Sequence, residues 1–408
     1  MSKIRTFVRM KRTLLRLLSC PECGGDIVLQ REDGLEEIQE GELACATCGK
    51  SWPIKGGIPR FGTLKKEYKG TVDRFGWEWQ TFTNQEEDAY LREQFWVWMN
   101  PIKPGDVQGK LVLEGGCGGG RHTLYMLEAG VGEIVAVDLS DSVEVVHRRV
   151  SSYPNAHVIQ ADIFHLPLKT VFDMAFSIGV VHHTPDPMQA TFSLASRVRP
   201  DGQLLIWVYG YENNWWIHFF ITPLRKYIFS KLPNWLTYAI SWLLTIPLFI
   251  LTRGIYYPLR KSWLGRRLPY ASYFIHIAPL TFRSQHAIVH DHITVTTASY
   301  HKREEVEEWA QSLGLRPYQV RWHNKNSWTL FGTLPAFKHE AVSLPHGEKE
   351  GQSHPGRPGM YGACGQRPAR HFPLLYLEKP QEHSQSPGAA QVQSHPATSH
   401  HPPRSQVI

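Results

Sequence analysis

From Gly109 onward the chain alternates short apolar runs with segments of helical period, and that rhythm sets the expected fold. Lys110–Gly115, Glu133–Asp138, Ala156–Gln160, Asp173–Ile178 and Gln203–Tyr209 are short and mostly apolar, as strands buried on both faces are. Between them His122–Ala129, Asp141–Ser151 and Pro187–Val198 carry helical spacing, the second preceded by a Ser140/Asp141 cap. Strands and helices in this alternation predict an α/β, doubly wound parallel sheet that binds ligands beyond the carboxyl ends of its strands. The rhythm stops over residues 210–300 and resumes with a helix at Arg303–Leu313. Strands at Arg316–Arg321 and Ser327–Thr333, joined by Asn324-Lys325-Asn326, then predict an antiparallel hairpin. Upstream, the aromatic-rich segment 66–105 predicts a helix over 85–99, ended by Pro101 and Pro104. In 335–408, Pro, Gly, Ser, Gln and His replace apolar periodicity; such a tail cannot offset its ordering entropy and is expected to be disordered.

The end of the first strand carries the first chemistry. Leu111–Arg121 reads LVLEGGCGGGR, a strand that stops at an acid and breaks into glycines. A dinucleotide loop, G-x-G-x-x-G, would need glycine at Arg121 or Thr123, and both fail. What stands instead is acid-x-Gly-x-Gly-x-Gly: Glu114, Gly116, Gly118 and Gly120. This resembles motif I of the class I S-adenosylmethionine (SAM) dependent methyltransferases. The resemblance implies a seven-stranded Rossmann-like sheet whose last strand is reversed, which the closing hairpin matches. It further implies that Glu114 orients the methionine end of SAM, and that Asp138, ending the second strand, holds the ribose hydroxyls. Asp162 in QADIFHLPL would receive the adenine amino group while Ile163 packs on the ring, and Ile178 ends the fourth strand beside the sulfonium. No Asn/Asp-Pro-Pro-Tyr follows that strand, which disfavours methylation of exocyclic base amines.

Transfer from a sulfonium needs chiefly a nucleophile held in line, helped for a hydroxyl acceptor by a general base. His183 and His182, just past the fourth strand, are the candidate bases, with loop packing as the alternative. Tyr209, Tyr300 and His301 stand where substrate contacts are expected.

Residues 1–65 change the picture again. Cys20-Pro-Glu-Cys23 and Cys45-Ala-Thr-Cys48 are two tight knuckles that together complete an S₄ shell for structural Zn²⁺; two redox pairs in one short segment would be unusual. Followed by KSWPIKGGIPRF, they resemble the small zinc ribbon of the tRNA-methyltransferase activator family. The ribbon is expected either to stabilise the fold or to bind substrate or a partner.

Composition bounds the rest. With 408 residues, 42% of them hydrophobic, the chain can bury a substantial core, and a net charge of +7 permits nucleic-acid or anionic-membrane partners without requiring them. The basic N-terminus lacks the apolar core of a signal peptide, so a cytoplasmic protein is expected. Within the insertion, Trp235–Leu251 is a charge-free run of 17 residues flanked on both sides by Lys and Arg. A spanning helix needs ~20 apolar residues, and a single span would strand the last helix and hairpin across the membrane from their own sheet. The run is therefore expected to be an apolar lid over the site or a surface touching anionic lipid peripherally. The favoured acceptor is a small or lipid-linked metabolite. RNA is the alternative, as is a non-catalytic SAM-binding subunit, and the sequence sets no oligomeric state.

Overall fold

The computed structural model describes residues 9–33, 37–62, 66–82, 89–214, 217–295 and 297–336. The expected disordered tail lies, beyond residue 336, outside the described residues, as do positions 85–88 of the helix expected over 85–99.

Seven strands form the central sheet: β1 (Leu111–Gly115), β2 (Glu133–Asp138), β3 (Ala156–Gln160), β4 (Phe172–Ile178), β5 (Val198–Tyr209), β6 (Tyr318–His323) and β7 (Ser327–Thr333). Their order is 6-7-5-4-1-2-3; β1 to β5 run parallel, and β7 is antiparallel to both neighbours. This is the expected doubly wound sheet with one reversed strand. Val112, Leu113, Val135, Ala136, Phe176 and Leu205 are fully buried, because helices cover both faces of the parallel part. Strand order reverses between β1 and β4, so the crevice beyond their carboxyl ends is where a ligand site belongs.

The helices used below are α1 (Lys66–Thr81), α2 (Ala89–Met99), α3 (Arg121–Glu128), α4 (Val143–Arg149), α5 (Pro187–Ala195), α6 (Asn234–Leu251), α7 (Phe282–Thr294) and α8 (Arg303–Ser312). Three local features depart from the sequence pattern. The Ser140/Asp141 cap is not made: Ser140 Oγ donates to Asp138 Oδ1 (2.7 Å) and α4 starts later, at Val143. β5 begins at Val198 and passes through Pro200-Asp201-Gly202 with Asp201 at φ 60°, its pairing with β4 slipping between Phe172 and Met174. Between those pairs β5 runs five residues against two on β4, so one strand absorbs what reads as a turn. The hairpin tip behaves as expected, Asn324 and Lys325 taking φ 47° and 55°, the left-handed pair of a tight β-turn.

The Cys-rich segment forms a four-stranded antiparallel sheet docked on the free edge of β3. Phe61 N donates to Gln160 O (2.8 Å), Ser19 N to Pro167 O (3.0 Å), and Lys169 N to Leu17 O (2.9 Å). Leu14, Leu17 and Leu18 are buried in one cluster with Ile159, Ala161 and Leu168 of the large sheet. The ribbon thereby closes an edge that would otherwise offer unpaired backbone groups. At the other end of the molecule the insertion is pinned where it leaves and rejoins the sheet: His301 N donates to Tyr209 O (2.9 Å) and Tyr211 N to His301 O (2.9 Å). Between these points α6 lies along α7, with Ser241 Oγ 2.8 Å from His286 Nε2.

Candidate active site

A cavity of about 820 Å³ lies beyond the carboxyl ends of the parallel strands, walled by α1, α2 and the insertion. That volume falls in the upper part of the range usual for ligand sites, ~300–1,000 Å³. The glycine turn after β1 forms one wall, with Gly116 at φ 77° and Gly118 at φ 50°. A Cβ on Gly116 would stand 2.3 Å from Val180, and one on Gly118 2.8 Å from Trp79, so only glycine fits at either place. Asp138 locks this turn: Oδ2 accepts from Gly118 N (2.8 Å), and Oδ1 accepts from Ser140 N (2.9 Å) and Ser140 Oγ (2.7 Å). Asp162, just past β3, accepts from Phe164 N (3.0 Å). Asp138 and Asp162 both line the cavity, together with Ile163, Ile178 and the indole of Trp79. An adjacent pair of strand-end carboxylates, a backbone turn without side chains and an aromatic wall fit the ribose, methionine and adenine parts of SAM.

Two of the expected cofactor residues are placed otherwise. Glu114 does not line the cavity; it is 1% exposed beneath the turn, where its Oε2 accepts from Thr123 Oγ1 at 2.5 Å. Burial, reinforced by the Asp138 charge and opposed by the Thr123 hydroxyl, pushes its carboxyl up to about 8. It supports the turn from behind. Gly120 likewise faces away from the cavity, its φ of 78° turning the chain into α3.

The expected acceptor residues divide in the same way. His183 lines the cavity and its Nδ1 lies 2.7 Å from Thr297 O. A carbonyl only accepts, so Nδ1 carries the proton and Nε2 presents a lone pair. Burial lowers the imidazole pKa, against the raising effects of Asp291 and the Thr297 carbonyl. Tyr209 and Tyr300 also line the cavity, and the Tyr209 hydroxyl donates to Asp291 (3.0 Å). His182, by contrast, is 0% exposed and outside the cavity wall, packed 4.0 Å from the Tyr209 ring, with no partner at either nitrogen among the described residues. That environment fits the loop-packing alternative expected for it. His301 also lies off the cavity wall, held between Glu305 (3.1 Å) and Ser299 (2.9 Å) at the base of the insertion.

Several cavity residues were not singled out from sequence. Glu78 and Trp79 enter from α1, where Phe75, Glu78, Trp79 and Phe82 fall at helical spacing on one face. An acid on that aromatic stripe was the available signal. Asp291 comes from α7, and it is the only acid between Glu212 and Glu304. Burial, then the nearby Asp291, holds the Glu78 carboxyl well above its ordinary range, while burial lowers His290 to about 4. Glu78 Oε2 and His290 Nδ1 lie 3.7 Å apart, and burial disfavours the charged form of each.

The ribbon cysteines converge as expected. Their four Sγ atoms lie within 4.8 Å of one another, Cys20–Cys48 at 3.7 Å and Cys23–Cys45 at 3.5 Å. A tetrahedral ion with ~2.3 Å bonds to sulfur has edges of about 3.8 Å, so the cluster fits a metal ion. Backbone N–H groups of Cys48 and Thr47 point at Cys45 Sγ (3.4 Å each) and pull its thiol down to about 6, favouring the ligating thiolate.

Comparison with known proteins follows this division. Residues 113–206 match the family described as methyltransferase domain, and residues 11–57 the family described as Trm112p-like protein. Among curated proteins the chain is similar to the tRNA U34 carboxymethyltransferase of Idiomarina loihiensis, 34% identical over 119 residues, covering 27% of this chain and 36% of that one. It is similarly 32% identical over 117 residues to that of Shewanella oneidensis, covering 27% and 35%. The chain thus spans about a third of the length of the curated relatives it matches. Solved structures similar to it include the complex between the Haloferax volcanii Trm112 methyltransferase activator and a methyltransferase, at 21% identity and TM-score 0.30 over 36% of this chain and 67% of that one. Another is N-methyltransferase NodS from Bradyrhizobium japonicum with S-adenosyl-L-homocysteine, at 15% identity and TM-score 0.29 over 33% and 73%.

Because Asp138 both faces the cavity and fixes the glycine turn, Asp138→Ala is predicted to weaken SAM binding by roughly 100-fold or more, two charge-assisted hydrogen bonds at ~1.5–3 kcal/mol each. Isothermal calorimetry checks it, and unchanged affinity contradicts the assignment. By sequence match, residues 113–206 carry the pattern of a methyltransferase domain, preceded in the same chain by a Trm112p-like match at residues 11–57.

Proposed function

We propose that the chain is a SAM-dependent methyltransferase acting on an RNA nucleotide, with a tRNA the favoured substrate. The observation that carries the cofactor half is Asp138 and Asp162 on one cavity wall with the Gly116–Gly118 turn. The acceptor half rests on the relatives, which are named for tRNA U34, and on the Trm112p-like ribbon. Chemistry agrees: Trp98, Trp207, Tyr273 and Tyr300 line the cavity and offer faces on which a base taken out of its strand can stack. Arg266 and Lys325 on the same wall can meet phosphate oxygens.

When bound, SAM supplies an electrophilic methyl group. The protein's own part is positioning and one proton. Asp138 would hold the ribose hydroxyls of SAM and Asp162 its adenine amino group. Tyr209, held by Asp291, braces the acceptor, and Nε2 of His183 takes the proton the acceptor loses.

A second reading, a small apolar acceptor, is favoured by Leu91, Ile217, Leu268, Ile277 and Ile288 on the cavity wall. Purified protein with methyl-tritiated SAM separates the two when offered total RNA or an organic extract of cells. Ribonuclease-sensitive label is expected; label confined to the extract favours the second reading.

The base assignment has a pH signature. A base must be neutral to act, and burial lowers the His183 pKa, so the acid limb of the rate profile is expected below the ordinary 6.5. His183→Ala should reduce kcat by ~10²–10⁴ while leaving SAM affinity nearly unchanged; an acid limb above pH 6.5 contradicts this role.

The four-cysteine cluster is proposed to hold zinc, the ion that an all-thiolate tetrahedral site most readily takes. Elemental analysis should find one zinc per chain. Because the ribbon shares its core with the large sheet, chelation should lower the melting temperature of the whole described unit in one transition. Loss of the ribbon signal alone, with the sheet melting as before, would contradict that coupling.

A further inference from the structure

The polarity of α6 is inverted. Thr237, Ser241, Thr245 and, just past its end, Thr252 are all 0% exposed, while Trp235, Leu243 and Ile250 are 69%, 60% and 66% exposed. Thr237, Ser241 and Thr245 recur every fourth residue and form one stripe. Trp235, Leu243 and Ile250 lie on the other side, because two residues on a helix are about 200° apart. The hydroxyls are satisfied inside the protein: Ser241 meets His286 (2.8 Å), Thr245 donates to Ser241 O (2.7 Å), and Thr252 donates to Gln285 Oε1 (3.2 Å). A helix on the surface of a water-soluble domain shows the opposite arrangement. Single exposed leucines need no explanation, but this helix exposes several on one side, and the same insertion also exposes Phe219 (73%) and Trp263 (62%).

Charge states what covers it. Residues 213–290 hold nine Lys and Arg and no Asp or Glu, against an excess of seven for the whole chain. Arg253, Lys261, Arg266 and Arg267, in the segment that follows α6, are exposed, and the Arg267 guanidinium lies 4.3 Å from the Trp263 ring centre. A second copy of the chain would bring like charges together. A nucleic-acid surface has use for the cations but none for exposed Leu and Ile, whereas an anionic bilayer uses both, the apolar residues entering below the headgroups and the cations pairing with them.

We propose that the insertion docks the protein on the surface of an anionic lipid membrane through the outward face of α6. Docking is from one side. By length and composition Asn234–Leu259 could cross a bilayer, but the inner stripe of α6 is committed to α7, and both ends of the insertion are hydrogen-bonded together at Tyr209 and His301. Arg266 belongs both to this cationic segment and to the cavity wall, so docking sets the active site beside the membrane surface. The inference does not depend on which acceptor is methylated.

Flotation of the full chain tests it, with vesicles of pure phosphatidylcholine or of equimolar phosphatidylcholine and phosphatidylglycerol. Binding to the anionic vesicles is expected to be at least roughly tenfold stronger and to weaken with salt. The double variant Leu243→Glu/Ile250→Glu should lose flotation while binding SAM as the parent does, which shows that it is folded. A parent protein that stays at the bottom with both vesicles overturns the proposal, as does a double variant that floats undiminished. So does a parent protein whose exposed face binds tRNA and not vesicles, detected as tRNA affinity lost in the double variant.

Discussion

One carboxylate organises the cofactor half of this molecule. Asp138 ends β2 and spends both oxygens on its neighbours, Oδ2 on Gly118 N and Oδ1 on Ser140. The turn after β1 is thereby tied to the strand beside it. The tie requires glycine at positions 116 and 118, since Val180 and Trp79 occupy the space a Cβ would need. Glu114 beneath the turn is mostly protonated at neutral pH, so the loop is not backed by a second negative charge. The strand-end carboxyl groups that face the cavity are those of Asp138 and Asp162.

Burial governs the acceptor half in the same manner. Glu78 is pushed toward its neutral form and His290 is kept from charging, while His183 is held neutral with its tautomer set by Thr297. The helices that create this burial come from outside the parallel strands: α1 precedes β1, and α7 lies in the insertion between β5 and β6. The curated matches extend over only 27% of this chain.

The ribbon and the insertion solve opposite surface problems. The ribbon closes the β3 edge and shares one buried cluster, through Leu14, Leu17 and Leu18, with the large sheet. The insertion leaves its apolar side uncovered and turns its hydroxyls inward.

The sequence by itself determined the sheet, the cofactor motif and the cysteine cluster. Local period fixes strands such as Glu133–Asp138 and Ser327–Thr333, and glycines, strand-end acids and paired cysteines act within a few residues of where they are read. Tertiary structure decided which of those residues face the ligand. His182 and His183 are adjacent in sequence, yet one is sealed in the core and the other opens on the cavity, because the turn after β4 points consecutive side chains in different directions. Glu78 and Asp291, separated by most of the fold, meet only because α1 and α7 pack over the same crevice. Composition marks Trp235–Leu251 as apolar, but only packing against α7 reveals that its hydroxyl stripe is the buried side. The reason is physical: hydrogen bonds and burial depend on neighbours brought from far along the chain, which no local pattern contains.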